Sequence, residues 1–269
     1  MNCPICNAQM VCPVHGAPAP VETGFELWVD VAYSDDGAID YKGLKRMGVK
    51  GLVGKIGQWN WKDALWDKHA AGALDAGLAL EGYWWSTPAY NHLQQVDILE
   101  KAIKPYPLQG LWVDVEQSHG QIAIWNKRHT RQLFSMGKFS SSQINTAALG
   151  IASVLDTLHT VPIGIYTRTS FILEFCPSML LWLKQYRLWL SAYLNTHIYT
   201  IDKAYAEQKG FTYVTGWEDY LQHYASPPNS VLALPKGQQW DMWQFTGDRV
   251  KLQYTGSYMD LNYRRVLAQ

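Results

Sequence analysis

The stretch LWVDVEQSHG, residues 111–120, contains two carboxylates one residue apart inside an apolar run. Side chains two positions apart in a strand share a face, so Trp112, Asp114 and Glu116 should point one way and the flanking aliphatic side chains the other. Burying a carboxylate is costly unless it is paired, and two close together raise the pKa of at least one. A protonated carboxyl group beside an ionised one is what glycosidic bond cleavage uses.

Matching acids occur near both ends of the chain. In FELWVDVAY, Trp28 and Asp30 repeat the Trp-x-Asp pattern, and Asp260 lies in SYMDLNY. For any single acid, capping a loop or pairing with an Arg at a barrel rim is the commoner explanation. For an Asp-x-Glu between valines with matching acids at both ends, we favour a catalytic role. The acids would then ring one mouth of a barrel, as Asp30, Asp114, Glu116 and Asp260.

Short apolar, β-rich runs alternate with helical segments from Phe25 onward. The predicted strands cover residues 25–33, 49–56, 78–85, 108–116, 161–167, 186–194, 238–245 and 257–263, and the predicted helices cover 39–48, 63–77, 97–105 and 141–159. Strands alternating with helices indicate a parallel sheet, and eight strands in about 245 residues indicate an α/β barrel. The last third is poorer in helix, so we expect its strands to be joined more simply than in a regular eightfold barrel.

Composition restricts the class of ligand. The 269 residues contain 23 Lys plus Arg and 23 Asp plus Glu, so no global field favours nucleic acid or an anionic membrane. No apolar run is long enough to span a membrane. Thirteen Trp and 16 Tyr would suit a carbohydrate cleft, because aromatic faces stack on sugars, although core filling explains any single one equally well.

The chain opens with four potential zinc ligands, Cys3, Cys6, Cys12 and His15. Their C-x2-C and C-x2-H spacing favours a structural zinc site, since four protein ligands leave no open position for catalysis. An oxidised or unstructured tail is the alternative. We therefore expect a zinc knob over residues 1–16, a Pro-rich linker over 17–24, and the barrel over 25–269. A knob this small has too little core to fold without its metal.

Six segments resemble, in order, those of glycoside hydrolase family 25, the lysozymes of bacteria and their phages. The segment WVDVAYSDDGAIDYKGLKRMGVKGLVGKI resembles the family's opening, and LWVDVE its Asp-x-Glu strand. The remaining four are PIGIYT, LWLSAYL, WQF and MDLNY. The resemblance extends from about Phe25 to Arg264, which is nearly all of the chain apart from its cysteine-rich start.

The resemblance implies an irregular TIM-like barrel, with five β/α units and three further strands. It implies cleavage of the β-1,4 bond between N-acetylmuramic acid and N-acetylglucosamine in peptidoglycan, without a cofactor for catalysis. Glu116 would be the proton donor and Asp114 its electrostatic partner, a candidate to position the substrate N-acetyl group. Asp30 and Asp260 would complete the acidic ring. The implied cleft residues are Tyr83, Tyr166, Tyr193 and Gln244.

The chain departs from the family pattern in two places. Where the family often continues Lys-Ala-Thr-Glu-Gly, Lys55 is followed by Ile-Gly-Gln, which removes an acid. Where an aromatic-His-aromatic is common, residues 83–85 are Tyr-Trp-Trp. We expect these changes to alter the cleft floor and to shift substrate preference.

Two other functions remain open at this point. One is a non-catalytic wall-binding module, in which the aromatic residues hold glycan. The other is metal-dependent hydrolysis with Asp114, Glu116 and His119 as ligands. The start of the chain shows no secretory signal, so we expect storage in the host cytoplasm until release to the wall, or carriage on a virion. The sequence indicates peptidoglycan glycan strands as the partner and names no protein partner.

Overall fold

The computed structural model describes residues 22–35, 39–125, 131–193, 198–199, 203–210, 212–213, 240–250, 255 and 259–267. The expected zinc knob, with Cys3, Cys6, Cys12 and His15, lies outside the described residues. Strand pairing begins at Glu22 rather than at Phe25, because Glu22 and Gly24 pair with Leu267 and Val266 of the last strand. Backbone pairing does not require apolar side chains, so the hydrophobic pattern missed these residues of the expected linker.

In the described residues the strands are β1 (Glu22–Val31), β2 (Gly51–Gln58), β3 (Trp61–Lys62), β4 (Ala79–Trp85), β5 (Leu111–Asp114), β6 (His119–Trp125), β7 (Arg131–Lys138), β8 (Ile163–Thr167), β9 (Arg187–Ser191), β10 (Ile198–Tyr199), β11 (Thr212–Tyr213), β12 (Met242–Val250) and β13 (Met259–Leu267). The helices are α1 (Tyr41–Arg46), α2 (Trp66–Asp75), α3 (His92–Ile103), α4 (Ser141–Leu158), α5 (Thr169–Phe175) and α6 (Lys203–Lys209). Short 3-10 helices cover Pro177–Leu181 and Leu183–Gln185.

Eight of these strands close into a barrel. Their order is β1, β13, β12, β9, β8, β5, β4 and β2, and β2 pairs with β1 to complete the circle. All neighbours are parallel except β13, which is antiparallel to both β1 and β12. This confirms the expected mixed α/β barrel, with helical crossovers early in the chain and a simpler strand reversal at its end.

Local signals fix the early crossovers. Asp40 accepts a hydrogen bond from the Gly43 N–H at the start of α1, and Ser140 and Gln143 form a reciprocal capping box at the start of α4. Gly77 follows α2 with φ 70°, a left-handed conformation that glycine adopts without strain. These residues define where the helices begin or end. Each helix then brings the chain back to the end of the sheet at which the next strand starts.

The alternation in β5 is the predicted one. Leu111, Val113 and Val115 pack in the apolar layer between sheet and helices. Trp112 instead packs inside the barrel, in a cluster made of Trp28, Val53, Trp112, Tyr166, Trp189 and Met242. The barrel centre is therefore a packed aromatic layer, and the polar side chains of the same strands lie above and below it.

A charged network lies below this layer, at the end where the parallel strands begin. The Glu81 side chain is completely buried and accepts hydrogen bonds from Trp112 Nε1 at 2.6 Å and from Arg264 and Arg187 at 2.9 and 3.3 Å. The two guanidinium groups also stack on the rings of Trp28 and Trp112. We call this set the base network.

Seven of the described strands and α-helices were not expected from the sequence, namely β3, β6, β7, β10, β11, α5 and α6. Strands β6 and β7 form an antiparallel hairpin directly after β5, and α5 follows β8. Neither segment has a long periodic pattern, and a hairpin depends on pairing that a single segment does not reveal. Among the described helices, none is both long and apolar enough to cross a membrane.

Candidate active site

A cavity of about 160 Å³ opens at the ends of the parallel strands, opposite the base network. We call it the mouth cavity. The four acids and the four cleft residues expected from the sequence all line it, together with two further tryptophans. The lining consists of Asp30, Tyr83, Trp85, Asp114, Glu116, Tyr166, Trp189, Tyr193, Gln244 and Asp260. The residues come from strands far apart in sequence, and barrel closure brings them together.

Asp114 is the last residue of β5 and is only 2% exposed. Beyond it the chain stays attached to β8, because the Val115 N–H donates to the Tyr166 carbonyl at 2.9 Å and Thr167 Oγ1 donates to the Val115 carbonyl at 2.7 Å. This pairing holds Glu116 at the barrel mouth although it lies past the strand end. Both carboxylates therefore face the same cavity, Asp114 from the end of β5 and Glu116 from just beyond it.

Burial raises the pKa of Asp114 well above its usual range, and the Glu116 charge raises it further while Lys55 lowers it. Burial also raises the pKa of Glu116, against the opposing charges of Arg168 and Lys55. Asp114 Oδ1 is buried with no hydrogen-bond partner in the described structure. Both carboxyl groups therefore hold a proton more readily than exposed carboxyl groups do.

Gln244 organises the opposite wall. Its Oε1 accepts hydrogen bonds from the hydroxyls of Tyr166 at 2.7 Å and Tyr193 at 3.2 Å. Its Nε2 donates to Asp30 Oδ2 at 3.0 Å and to Asp260 Oδ2 at 3.1 Å. The two hydroxyls thus fix the amide orientation, and the amide then holds the two carboxylates in place.

Asn262 gives a second support to this wall. Its Nδ2 donates to Asp30 Oδ2 at 2.7 Å, and its Oδ1 accepts from Trp189 Nε1 at 2.8 Å. Because Trp189 belongs to the packed barrel centre, the position of Asp30 is tied to the rigid core. Asn262 was not among the site residues expected from the sequence, although it lies two residues after Asp260 on the same strand.

Lys55 is a site residue that was recognised only as part of a departure from the family pattern. It is buried on β2, and its ammonium group lies 4.6 Å from the Trp85 ring centre and 5.9 Å from that of Tyr83. Desolvation lowers its pKa, against the raising effect of Asp114, Asp63 and Glu116. A signal that could have identified it is a lysine two residues after Val53, on the inward face of a strand that is mostly small and apolar.

A second depression, of about 390 Å³, adjoins the mouth cavity. We call it the outer groove. It is lined by Tyr33, Lys55, Gln58, Trp59, Trp85, Glu116, Gln117, Ser118 and His119. Glu116 and Trp85 belong to both spaces. Glu116 therefore lies where the mouth cavity meets the outer groove, and the two spaces form one concave surface.

The metal-ligand interpretation of His119 gains no support. His119 is exposed, contacts Ser118 Oγ at 2.9 Å and packs edge-on against Phe175. Within the residues that the structure describes, no three His, Cys, Asp or Glu side chains are grouped to hold a metal ion. The expected N-terminal zinc ligands are not among those residues.

No protein-family model and no curated protein sequence matches the chain. Solved structures do. A lysozyme from Streptomyces coelicolor is 16% identical, with a TM-score of 0.61, over 92% of this chain and 95% of that one. A family 25 glycosyl hydrolase from Bacillus anthracis is 16% identical, with a TM-score of 0.57, over 93% of each chain.

The catalytic domain of an endolysin from a Listeria monocytogenes bacteriophage is also similar. It is 16% identical, with a TM-score of 0.57, over 90% of this chain and 94% of that one. These matches cover nearly the whole barrel at low identity. The chain therefore has the fold found in family 25 lysozymes and endolysins.

Proposed function

We propose that this chain, on a family 25 lysozyme fold, is a peptidoglycan hydrolase that cleaves the β-1,4 bond between N-acetylmuramic acid and N-acetylglucosamine. The observation that carries the proposal is the Asp114–Glu116 pair. Both carboxyl groups face one cavity, and burial raises the pKa of each. A buried carboxyl group with a raised pKa can donate a proton to a bond, while a neighbouring carboxylate balances the charge that develops there.

Glu116 is the proton donor in this proposal, because it stands where the mouth cavity meets the outer groove. A glycan crossing this junction would present its glycosidic oxygen to the carboxyl group. Proton transfer to that oxygen accompanies breakage of its bond to the sugar carbon. Water then adds to the sugar and gives its proton to the Glu116 carboxylate, which restores the starting state.

Asp114 acts on the sugar rather than on the leaving oxygen. Its buried Oδ1 has no hydrogen-bond partner in the described structure, and a buried acceptor of this kind is costly unless a donor arrives. The N–H of a substrate acetamido group is such a donor. Binding it would orient the acetamido oxygen toward the reacting carbon and balance the positive charge that develops there.

Asp30 and Asp260 form the opposite side of the cavity. Gln244 and Asn262 hold Asp30 by two hydrogen bonds, and Gln244 also holds Asp260. Carboxylates fixed in this way keep the cavity negative without reorganising as the sugar becomes positively charged, which is the condition for electrostatic stabilisation of a transition state.

The test is hydrolysis of purified peptidoglycan by the wild type and by Glu116→Gln, with identification of each new reducing end. We expect muramic acid ends from the wild type and at least a roughly hundredfold lower rate in the variant, because general acid catalysis is lost. Gln keeps the shape of the side chain, so the variant should remain folded, which its thermal unfolding checks. If neither protein produced new ends while both bound the wall, a wall-binding function would replace the proposal.

A further inference from the structure

The turn between β2 and β3 has an unusual residue at its tip. Gln58 pairs with Trp61 and Gly57 with Lys62, so Trp59 and Asn60 form a two-residue hairpin turn. Trp59 has φ 55°, the left-handed region. Two-residue hairpin turns need a positive φ at this position and favour glycine, asparagine or aspartate there. A bulky aromatic residue in this conformation is a genuine outlier.

The strained position places an aromatic side chain at the outer groove. Trp59 is partly exposed and lines this groove together with Glu116, Gln117 and Ser118. Strained backbone conformations persist where surrounding structure enforces them, and they concentrate at ligand-binding sites. A glycine at position 59 would relieve the strain but would leave the groove without this ring.

The groove combines the two kinds of surface that a pyranose sugar contacts. Tyr33, Trp59 and Trp85 supply aromatic rings, and the other lining side chains supply hydrogen-bonding groups. Trp61 makes an edge contact with Tyr33, with ring centres 6.1 Å apart. This contact and the pairing of β3 with β2 hold the hairpin in place.

We propose that Trp59 is the stacking platform of a sugar subsite in the outer groove, adjacent to Glu116. This inference rests on the proposed function, and it adds the position where the glycan strand continues past the bond that is cut. The subsite occupies the place where the chain lacks the acid of the family pattern. Glycans long enough to reach Trp59 bind better than those that end at Glu116.

The test compares Trp59→Gly, Trp59→Phe and the wild type on a series of peptidoglycan-derived saccharides of alternating N-acetylglucosamine and N-acetylmuramic acid. Glycine accepts the left-handed turn, and phenylalanine keeps an aromatic face. Loss of the stacking contact should lower kcat/KM on the longest saccharide about fivefold to tenfold in Trp59→Gly. The change should appear mainly in KM, and it should disappear on saccharides too short to reach the groove. Trp59→Phe should retain most of the wild-type value.

Leu158→Ala is the matched control. Leu158 is 57% exposed at the end of α4, which leads into the start of β8 at the opposite end of the barrel. Its removal should leave every saccharide unaffected. An equal loss in Trp59→Gly on short and long saccharides, or no loss on either, would overturn the inference.

A binding measurement separates this inference from the proposed function. Calorimetry with the longest saccharide is performed on Glu116→Gln and on Glu116→Gln/Trp59→Gly, neither of which needs to turn it over. Weaker binding of about fivefold or more in the double variant supports the subsite even if the wild type cuts nothing. Equal affinity of the two proteins refutes it even if the wild type is an active hydrolase.

Discussion

Glu81 at the base of the barrel and Asp114 at its mouth are both buried carboxylates on neighbouring parallel strands. They differ in what surrounds them. Glu81 accepts hydrogen bonds from two arginines and a tryptophan. Asp114 has a buried oxygen with no hydrogen-bond partner among the described residues, and its pKa is raised by burial and then by the Glu116 charge.

The difference separates a structural carboxylate from one available for chemistry. Removing one member of a satisfied buried ion network leaves the others uncompensated and is strongly destabilising. Removing the charge of an unsatisfied buried carboxylate relieves a desolvation penalty instead. Similar substitutions at the two ends of one barrel should therefore change stability in opposite directions.

The largest expected effect on stability is at the base. Glu81→Gln removes the charge that Arg187 and Arg264 share, and we expect the free energy of unfolding to fall by about 3 kcal/mol or more. Urea unfolding followed by tryptophan fluorescence measures this. The folded fraction should still hydrolyse peptidoglycan, because the base network lies at the other end of the barrel from the mouth cavity. An unchanged urea midpoint in Glu81→Gln would contradict the distinction between a structural carboxylate at the base and a catalytic one at the mouth.

A smaller and opposite effect is expected at the mouth. Because the folded-state pKa of Asp114 is raised, ionising it disfavours the folded state once the pH exceeds the unfolded value of about 4. Asp114→Asn should therefore increase the free energy of unfolding at pH 7, by less than the loss expected for Glu81→Gln, and it should lose activity. The gain should vanish as the pH falls below about 4, where both states are protonated. If Asp114→Asn were less stable than the wild type at pH 7, the Asp114 carboxylate could not be one whose ionisation disfavours the folded state.

The next effect concerns the cation at the mouth. Lys55 lowers the pKa of both Asp114 and Glu116, so Lys55→Met should raise both. Both limbs of the pH–activity profile should move to higher pH, by about one unit or less. The acidic limb reports loss of the first proton from the two carboxyl groups, and the alkaline limb reports loss of the second. Lys62→Met, on the exposed neighbouring strand β3, is the control and should leave the profile in place. Movement to lower pH would refute the assigned role of Lys55.

The smallest effect distinguishes two hydroxyls within the mouth. Tyr166 is 7% exposed and Tyr193 47% exposed, and both donate to Gln244 Oε1. Tyr166→Phe should lower the free energy of unfolding by about 1 kcal/mol, and Tyr193→Phe by roughly half of that or less, because water can replace the exposed group. Thermal unfolding of both variants measures the difference. Equal losses of unfolding free energy would mean that burial does not determine how much each hydroxyl's hydrogen bond to Gln244 stabilises the protein.

The sequence predicted the barrel and the clustering of its acids because both follow from short-range patterns. Alternation in β5 assigned Trp112 and Asp114 to the interior, and the repeated Trp-x-Asp in β1 extended this to Asp30. The sequence did not reveal the hairpin of β6 and β7, because the pairing of two strands cannot be read from either segment alone. The left-handed φ of Trp59 escaped because tryptophan there contradicts local preference. The bonds from Gln244 to two carboxylates required strand register that no single segment contains.

The closing strand has a practical consequence for assembling larger molecules. Because β13 runs antiparallel to β1, Glu22 and Leu267 are paired at the base, on the side away from the mouth cavity. A partner protein fused before β1 or after β13, or a surface to which either end is attached, would therefore adjoin the rear of the barrel. A partner joined directly to Glu22 or to Leu267 should therefore leave the glycan entrance open.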